Sequence, residues 1–243
     1  MLLYLLREIL KIILMAKVLF SALISDMRNK LNGSVFAKNR GGSYLRTKVT
    51  PVNPQTVAQV AARNKLTQFS QSWRSLTEAQ REAWKAAVDQ WSTTDVFGSS
   101  VTPSGSALYI RLNINIANAG GSAILTPPLP VGADALGTLE VVADVSDNSI
   151  ELTLDIATVP AGHALYIEAT AQMSPGISNA NSKFRHVQTA AAATASPIDI
   201  VTAYTAKFGA LTAGQKLFVR ARLIRLTTGE KSQALVANTI VVS

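Results

Sequence analysis

The chain of 243 residues contains no cysteine and only two histidines, His163 and His186. Without cysteine there can be no disulfide bond, no thiol nucleophile and no cysteine-ligated zinc. Two histidines are also too few for a metal site built from several imidazoles. We therefore predict neither a metal site nor a cofactor.

Charged residues make up only 16% of the chain and hydrophobic residues 48%, which indicates a folded protein rather than a disordered one. The sequence lacks the glycine-rich signatures of nucleotide-binding loops and the Gly-x-Ser-x-Gly motif of α/β-hydrolases. Neither histidine has both a serine and an acidic residue beside it that would hint at a catalytic triad. We predict that the protein is not an enzyme and has no catalytic residues.

The net charge of +8 is concentrated at the N-terminus. Residues 1–50 contain nine Lys and Arg against two Asp and Glu, residues 51–126 contain six against four, and residues 127–243 contain eight against nine. A concentrated basic segment attracts nucleic acid or the acidic surface of another protein. A solvated basic tail is the simpler interpretation of the same charge, and the composition does not choose between them.

The first fourteen residues, MLLYLLREILKIIL, are apolar but are interrupted by Arg7, Glu8 and Lys11. No uncharged stretch approaches the roughly 20 residues that a transmembrane helix needs, and the charges are not placed as in a secretory signal. We therefore expect no membrane partner and interpret residues 1–14 as a start-site extension before a natural beginning at Met15. An amphipathic helix at a membrane surface is the alternative.

Residues 15–52 are predicted to form a basic extended arm with turns at Asn32-Gly33 and Gly41-Gly42, and a hairpin is one option for it. Stretches rich in β-forming residues, 34–38 and 43–49, lie between and after these turns. The second turn could bring the flanking cations to one face, where they would bind a partner or phosphate groups. The candidate binding residues are Lys38, Arg40, Arg46 and Lys48.

Residues 53–126 are predicted to form a small helical module. Asn53-Pro54 is typical of a helix start, with Asn53 as the N-cap. An apolar face follows at helical spacing, comprising Ala58, Ala62, Leu66, Phe69 and Trp73. A capping box, Thr77-x-x-Gln80, predicts a second helix whose apolar face is Trp84, Val88 and Trp91. We interpret the three tryptophans, Trp73, Trp84 and Trp91, as anchors of the module.

Residues 107–118 fit two kinds of secondary structure. Their apolar residues alternate as in a strand, but Leu108, Leu112 and Ile116 also recur at helical spacing. We favour the helix because Gly120-Gly121 offers a C-terminal stop. The proline-rich stretch 126–130 is then interpreted as a stiff linker at a domain boundary.

Residues 127–243 change to an alternating pattern. Residues 139–145 and 150–156 predict a hairpin with one buried face, and further strands are predicted at 164–172, 183–189, 198–206, 216–226 and 234–242. About seven short strands separated by polar turns are typical of an immunoglobulin or fibronectin type III β-sandwich. The predicted fold class is therefore α+β multidomain: a basic N-terminal arm and a small helical module followed by an all-β immunoglobulin-like sandwich.

The segment from Arg28 to Trp91 resembles a family of uncharacterised tailed-bacteriophage virion proteins. The resemblance lies in GSVFAKNRGGSYLRTKV, NPQTVAQVAARNKL and WRSLTEAQREAWKAAV, and SGSALYIRLNINIANAG is similar to a third element of that family. The matching helix positions are Asn53, Pro54, Thr56, Gln59, Arg63, Trp73, Leu76, Thr77, Gln80, Arg81 and Trp84. The resemblance spans about residues 28–121 and implies a structural or capsid-associated role.

The leading hypothesis is a non-enzymatic phage virion protein, either capsid-associated or a head or tail component, made in the host cytoplasm. Its arm and helices would dock on other virion proteins in a homo- or hetero-oligomeric assembly, with weak nucleic acid contact through the arm, and its β-sandwich would be displayed. One alternative is a nucleic-acid-binding protein that uses the four arm cations with Phe36 and Tyr44 as stacking groups. Another is a carbohydrate-binding adhesin that uses the sandwich loops.

Overall fold

The computed structural model describes residues 15–20, 24, 26–50, 52–132 and 134–243. The interpretation of residues 1–14 as a start-site extension lies outside the described residues. The described part of the chain is α+β, with four α-helices and antiparallel sheets. Its contacts divide it into two compact units: residues up to Arg63 with Trp91–Pro103, and Asn64–Gln90 with Ser104–Ser243.

The basic segment forms a four-stranded antiparallel sheet in the order β1-β4-β3-β2. Its strands are β1 (Met15–Lys17), β2 (Asn29–Leu31), β3 (Ser34–Asn39) and β4 (Gly42–Thr47). The predicted turn at Asn32-Gly33 is confirmed, because it joins β2 to β3. The second turn lies one residue earlier than predicted, since Arg40-Gly41 joins β3 to β4 and Gly42, with a φ of 104°, begins β4. The hairpin is therefore present. A short second ribbon in the same unit pairs β5 (Thr93–Thr94) with β6 (Ser100–Val101).

The first two helices each begin with a side-chain capping box. Helix α1 spans Val57–Ser75 and helix α2 spans Glu78–Ala86, followed by a 3₁₀ helix at Ala87–Trp91. The predicted capping box at Thr77 and Gln80 is confirmed. The prediction of Asn53 as the first N-cap is wrong, because Thr56 Oγ1 accepts from the Gln59 backbone N–H at 3.3 Å and Gln59 Oε1 accepts from the Thr56 N–H at 3.4 Å. A second threonine–glutamine box thus starts α1 three residues later.

The predicted apolar face of α1 is buried only toward its C-terminal end. Phe69 is buried and Trp73 is half-buried, whereas Leu66 is 50% exposed and Ala58 and Ala62 are exposed. The apolar face that the spacing indicates is therefore covered over only part of its length. Helical spacing shows which residues share a face, but it does not show how far along the helix a packing partner extends.

Helix α3 spans Gly105–Asn118, which confirms the helical interpretation of residues 107–118. Leu108, Leu112 and Ile116 are buried along one face, as the four-residue spacing requires. The buried Asn113 side chain accepts from the Ile124 N–H at 2.7 Å and donates to the Ile124 carbonyl at 3.2 Å. The chain after α3 is thereby fixed back onto the helix.

Seven strands follow, in two antiparallel sheets. The strands are β7 (Leu139–Asp144), β8 (Ser149–Leu154), β9 (His163–Ala169), β10 (Arg185–Ala190), β11 (Ile198–Asp199), β12 (Lys216–Arg225) and β13 (Leu235–Ile240). One sheet has the order β11-β8-β7 and the other β10-β9-β12-β13. Alternate residues of both sheets, such as Ile150, Leu152, Leu165, Ile167 and Val219, share one hydrophobic core. The predicted hairpin with one buried face is confirmed in β7 and β8.

The predicted strand at 198–206 is wrong beyond its first two residues. After β11 the chain forms helix α4 (Val201–Phe208). The Asp199 carboxylate accepts from the Val201 N–H at 2.9 Å, and Val201 and Tyr204 are buried on one side of the helix. The apolar residues at positions 200, 201, 204 and 208 carry this helical spacing, which the β pattern of the neighbouring segments obscured.

Helix α3 packs within the same compact unit as the seven strands. Ala119 at its end contacts Ala164 and Ile224, and the Asn115 amide donates to the Gly229 carbonyl at 2.8 Å. Gly229 has a φ of 75°, and a Cβ there would lie 2.5 Å from the Leu112 carbonyl oxygen. The domain boundary at 126–130 stays a prediction. No helix in the described ranges is long and apolar enough to cross a bilayer.

Candidate functional site

The register of the N-terminal sheet determines which cations share a face. Arg46 lies opposite Val35 of β3, and Val35 lies opposite Lys30 of β2. Residues directly opposite each other in an antiparallel pair project from the same face. Lys30, Val35 and Arg46 therefore form one row across three strands, and Lys48 lies two residues beyond Arg46.

This row forms one wall of a cavity of about 370 Å³ lined by Lys30, Val35, Arg46, Lys48, Val49 and Thr50. We call Lys30, Arg46 and Lys48 the basic cluster. All three are exposed, whereas Val35 between them is buried. None of the three forms an ion pair with any other residue that the structure describes. The cavity therefore combines an apolar floor with three cations that no described carboxylate neutralises.

The four predicted binding residues do not share one face. Arg46 and Lys48 belong to the basic cluster, but Lys38 pairs with Ser43 and projects from the opposite face of β3. Arg40 lies in the turn before β4 and lines a different recess. The register separates the predicted set into two pairs, and it adds Lys30, which the sequence analysis missed. The signal was in the sequence, because a two-residue turn at Asn32-Gly33 places Lys30 opposite Val35.

The second recess has a volume of about 240 Å³ and lies beside the turn of the β3–β4 hairpin. The Lys17 ammonium pairs there with the Asp95 carboxylate. This hydrogen bond, aided by backbone donors at Phe97 and Ser99, lowers the pKa of Asp95. Lys17 is therefore neutralised in this recess, whereas no carboxylate of the described residues pairs with the basic cluster.

Two of the predicted tryptophan anchors contact the same residue, Tyr109 of α3. The Trp84 ring meets the Tyr109 ring edge-on at 5.3 Å, and its Nε1–H donates to the Leu125 carbonyl at 2.9 Å. The Trp73 ring lies 5.5 Å from the Tyr109 ring. Trp91 is buried as well. These contacts are those of packing residues rather than of an open aromatic site.

Large apolar side chains are exposed in the same unit as the basic cluster. Leu31 is 60% exposed, Val52 is 87% exposed and Val57 is 88% exposed. Single exposed apolar residues are ordinary on a protein surface. Here they occur in a unit whose sheet has Val35 as its only buried residue among the positions whose side chains are described. The unit therefore offers apolar contacts together with positive charge.

No protein-family model and no curated protein matches the chain. The chemistry of the site therefore follows from its own residues. Exposed Lys and Arg around an apolar floor can neutralise carboxylates or phosphates while apolar groups of the same partner cover the floor. Among the described residues, no group of three or more His, Asp and Glu side chains could hold a metal ion.

Proposed function

We propose that the protein is a non-enzymatic structural component of a bacteriophage particle, docking through its N-terminal unit and displaying its C-terminal β-structure. The observation that carries the docking role is the poor burial of the N-terminal unit. Its sheet is completed by backbone pairing, yet Leu31, Val52 and Val57 remain largely exposed. A sheet that buries so little of its own surface gains stability from a partner that covers it.

The partner that fits this surface is the acidic face of another virion subunit. Residues 15–50 contain seven Lys and Arg and a single acidic residue, Asp26. The basic cluster leaves three of these cations without a carboxylate among the described residues, and apolar groups accompany them. Complementary charge orients such a partner and speeds its association, while the apolar contacts supply affinity.

The phage assignment rests on the residues that resemble virion proteins, and the capping geometry is consistent with that motif. Thr56 with Gln59 and Thr77 with Gln80 both act as capping boxes, so these motif positions serve folding. The docking contacts would then fall on other residues, namely the exposed cations and apolar side chains of the N-terminal unit.

The displayed part is proposed to be an immunoglobulin- or fibronectin-III-like sandwich. Seven strands in antiparallel sheets of three and four, with a common core, support this interpretation. Pairing of β9 with β12 rather than with β8 supports it too, because sandwiches of this class exchange strands between sheets. Helix α4 between β11 and β12 is an addition to the simple seven-strand pattern.

A nucleic-acid-binding function is the second candidate, and one observation favours it. Tyr44 pairs with Ala37 and lies two residues before Arg46, so its ring is on the same face as the basic cluster. An aromatic ring beside cations is the arrangement that stacks a base while neutralising phosphates. Phe36, the other proposed stacking residue, lies on the opposite face.

The test uses two matched double variants of the full chain, because the sheet divides the four predicted cations into two pairs. Arg46→Gln with Lys48→Gln removes two charges from the basic cluster, and Lys38→Gln with Arg40→Gln removes two charges elsewhere on the same hairpin. Co-sedimentation with particles that lack the protein measures docking. We expect about tenfold weaker docking for the first variant and little change for the second, since each exposed charge contributes about 1 kcal/mol or less.

Mass spectrometry of purified particles provides the independent test, and absence of the protein from them would overturn the virion proposal. Equal docking by both double variants would overturn the assignment of the basic cluster as the contact. The second candidate would be favoured if the isolated chain bound DNA or RNA with an affinity that falls steeply with salt. The first variant should then lower the slope of that salt dependence by about two, one for each lost phosphate contact.

A further inference from the structure

The outer face of the four-stranded C-terminal sheet carries a polar cluster that the proposed docking role does not use. Its centre is Glu168 on β9, which lies between two arginines of β12. Arg220 Nε donates to Glu168 Oε2 at 2.8 Å, and Arg222 Nη2 donates to the same oxygen at 3.3 Å. One carboxylate oxygen therefore serves two guanidinium groups, and a full positive charge remains.

The two arginines differ in how well their N–H donors are hydrogen-bonded. Arg220 has its short bond to Glu168, and its guanidinium carbon lies 4.4 Å from the centre of the Phe184 ring. Within the described ranges, Arg222 has only the longer bond, and its Nε–H is buried without an acceptor. A guanidinium offers five N–H donors, and the Arg222 side chain remains 23% exposed. Arg222 therefore has donors to spare, and leaving them unused while partly buried is costly.

Most of the charged groups that act on the side chains of this face are cations. The charged side chains that act on Tyr166, His186 and Lys231 come from β9, β12, α1 and α4, and they are Glu168, Arg220, Arg222, Lys65 and Lys207. Burial lowers the pKa of His186, and the nearby ammonium groups of Lys207 and Lys65 lower it further. The one carboxylate in this set does not neutralise its cations.

Two stacked aromatic rings lie beside Arg222 on the same face of the sheet. The His186 and Tyr166 rings are stacked with their centres 4.5 Å apart and an angle of 22° between them. Tyr166 lies directly opposite Arg222 in the β9–β12 pair, so the stack and the guanidinium are neighbours on one face. His186 Nε2 lies 3.0 Å from Thr189 Oγ1, which in turn donates to the Asn118 carbonyl, so the imidazole is held in place.

We propose that this face binds an oxyanion-bearing ligand, with Arg222 as the principal donor, Lys231 as an additional cation and the Tyr166–His186 stack as the flat surface beside it. A sulfate, phosphate or carboxylate group would accept from the free N–H groups of Arg222. It would also neutralise the charge that Glu168 leaves over. The stacked rings offer an apolar surface to the attached part of the ligand, such as the C–H face of an acidic sugar ring. The proposal does not depend on the docking role of the N-terminal unit.

The two histidines give the experiment a direct probe. The C2–H proton of His186 is followed by NMR in the full-length protein across pH 5 to 8, with His186→Gln used for assignment. Titrations in sodium sulfate and in sodium glucuronate are compared with sodium chloride at equal ionic strength. We expect sulfate or glucuronate to raise the titration midpoint of His186 in a saturable way and to leave the His163 resonance unmoved. A response to glucuronate identifies a carboxylate sugar, and a response to sulfate alone identifies a sulfate or phosphate group.

Two variants locate the effect. Arg222→Gln should weaken the response at least about tenfold, the loss expected for removing a charge-assisted hydrogen bond. Arg225→Gln is the control on the same strand, because Arg225 instead donates to Gly132 and Asp134. Stabilisation of each variant against heat by the same anions is the second readout, and it registers whether the variant is folded. Equal effects of all three salts on the wild type, or an unchanged response in Arg222→Gln, would overturn the proposal.

Discussion

The N-terminal sheet and the C-terminal sheets are built on the same antiparallel pairing but differ in what they bury. Strands β2 to β4 have Val35 as their only buried residue, with 9% of its surface exposed. The seven C-terminal strands enclose a core of twenty buried residues among those that the structure describes. The C-terminal unit therefore has its own hydrophobic stabilisation, while the N-terminal sheet depends mainly on backbone hydrogen bonds and the turns that set its register.

This difference indicates what kind of constraint shaped each region. In the C-terminal unit the alternation of the sequence records an internal core, and most of its acidic residues lie on the outer faces of strands or in turns. In the N-terminal sheet alternation places Lys30, Arg46 and Lys48 around a single buried valine. Those cations contribute nothing to a core, and their arrangement fits the docking surface proposed above.

The largest effect should come from opening the C-terminal core. Leu165 is fully buried between the two sheets, so Leu165→Ala should lower the free energy of unfolding by about 2–5 kcal/mol. Val35→Ala should lower it by about 1 kcal/mol or less, because few atoms surround the cavity it would leave. Urea unfolding followed by circular dichroism measures both. Leu165→Met is the volume-matched control, and a Val35→Ala cost as large as that of Leu165→Ala would contradict the comparison.

A smaller effect should follow from removing the helices that cover one side of the C-terminal strands. A fragment of residues 127–243 should still unfold cooperatively, which tests the boundary predicted at the proline-rich linker. It should be less stable than residues 57–243 by about 2–3 kcal/mol, because Ala164 and Ile224 lose the cover of Ala119. Thermal unfolding of the two fragments gives the difference. An insoluble or non-cooperative 127–243 fragment, beside a well-folded longer one, would show that the strands are not separable from α3.

Much of this architecture could be predicted from local patterns. The Thr77–Gln80 capping box, the β7–β8 hairpin and the turn at Asn32-Gly33 involve residues a few positions apart, so the sequence carries the whole signal. The turn predicted at Gly41-Gly42 was displaced by one residue. The extent of burial along α1 could not be predicted, because it depends on where Tyr109 meets Trp73. Helix α4 was missed because its two turns lie between strands and share their apolar composition.

The candidate site was only half predictable for a similar reason. Composition identified a basic segment, and the hairpin turn placed Arg46 and Lys48 in one strand and its continuation. Whether Lys38 joins them depends on register, since a shift of one residue exchanges the two faces of a strand. The Glu168, Arg220 and Arg222 cluster is less accessible still. Glu168 is more than fifty residues from the two arginines and meets them only through the pairing of β9 with β12.

The two capping boxes should each contribute about 1 kcal/mol where the helix is packed and less where it is exposed. Thr77→Ala should lower the free energy of unfolding by about 1 kcal/mol, because Trp84 in the helix it starts is fully buried. Thr56→Ala should leave the main unfolding transition nearly unchanged, because the first turns of α1 are exposed and can fray. Thr77→Ser and Thr56→Ser retain the hydroxyl and serve as controls. Equal losses for both alanine variants would contradict the exposure difference.

The smallest expected effect is the contribution of His186 to the loss of stability at acid pH. Burial together with Lys207 and Lys65 lowers the pKa of this imidazole below its ordinary value of 6.5, against the opposing influence of Glu168. The unfolded chain therefore takes up a proton on His186 before the folded chain does. Its contribution to stability is constant above pH 6.5, falls as the pH drops from there toward the folded pKa, and is constant again below it. One proton limits the slope to about 1.4 kcal/mol per pH unit.

His186→Gln should flatten the stability profile in that interval, measured by urea unfolding at several pH values. A variant whose profile falls as steeply as the wild type would show that other groups cause the acid sensitivity. If an oxyanion occupies the face beside Arg222, the wild type should lose less stability on acidification when the series is repeated in sulfate. The slope of the His186→Gln profile should not change.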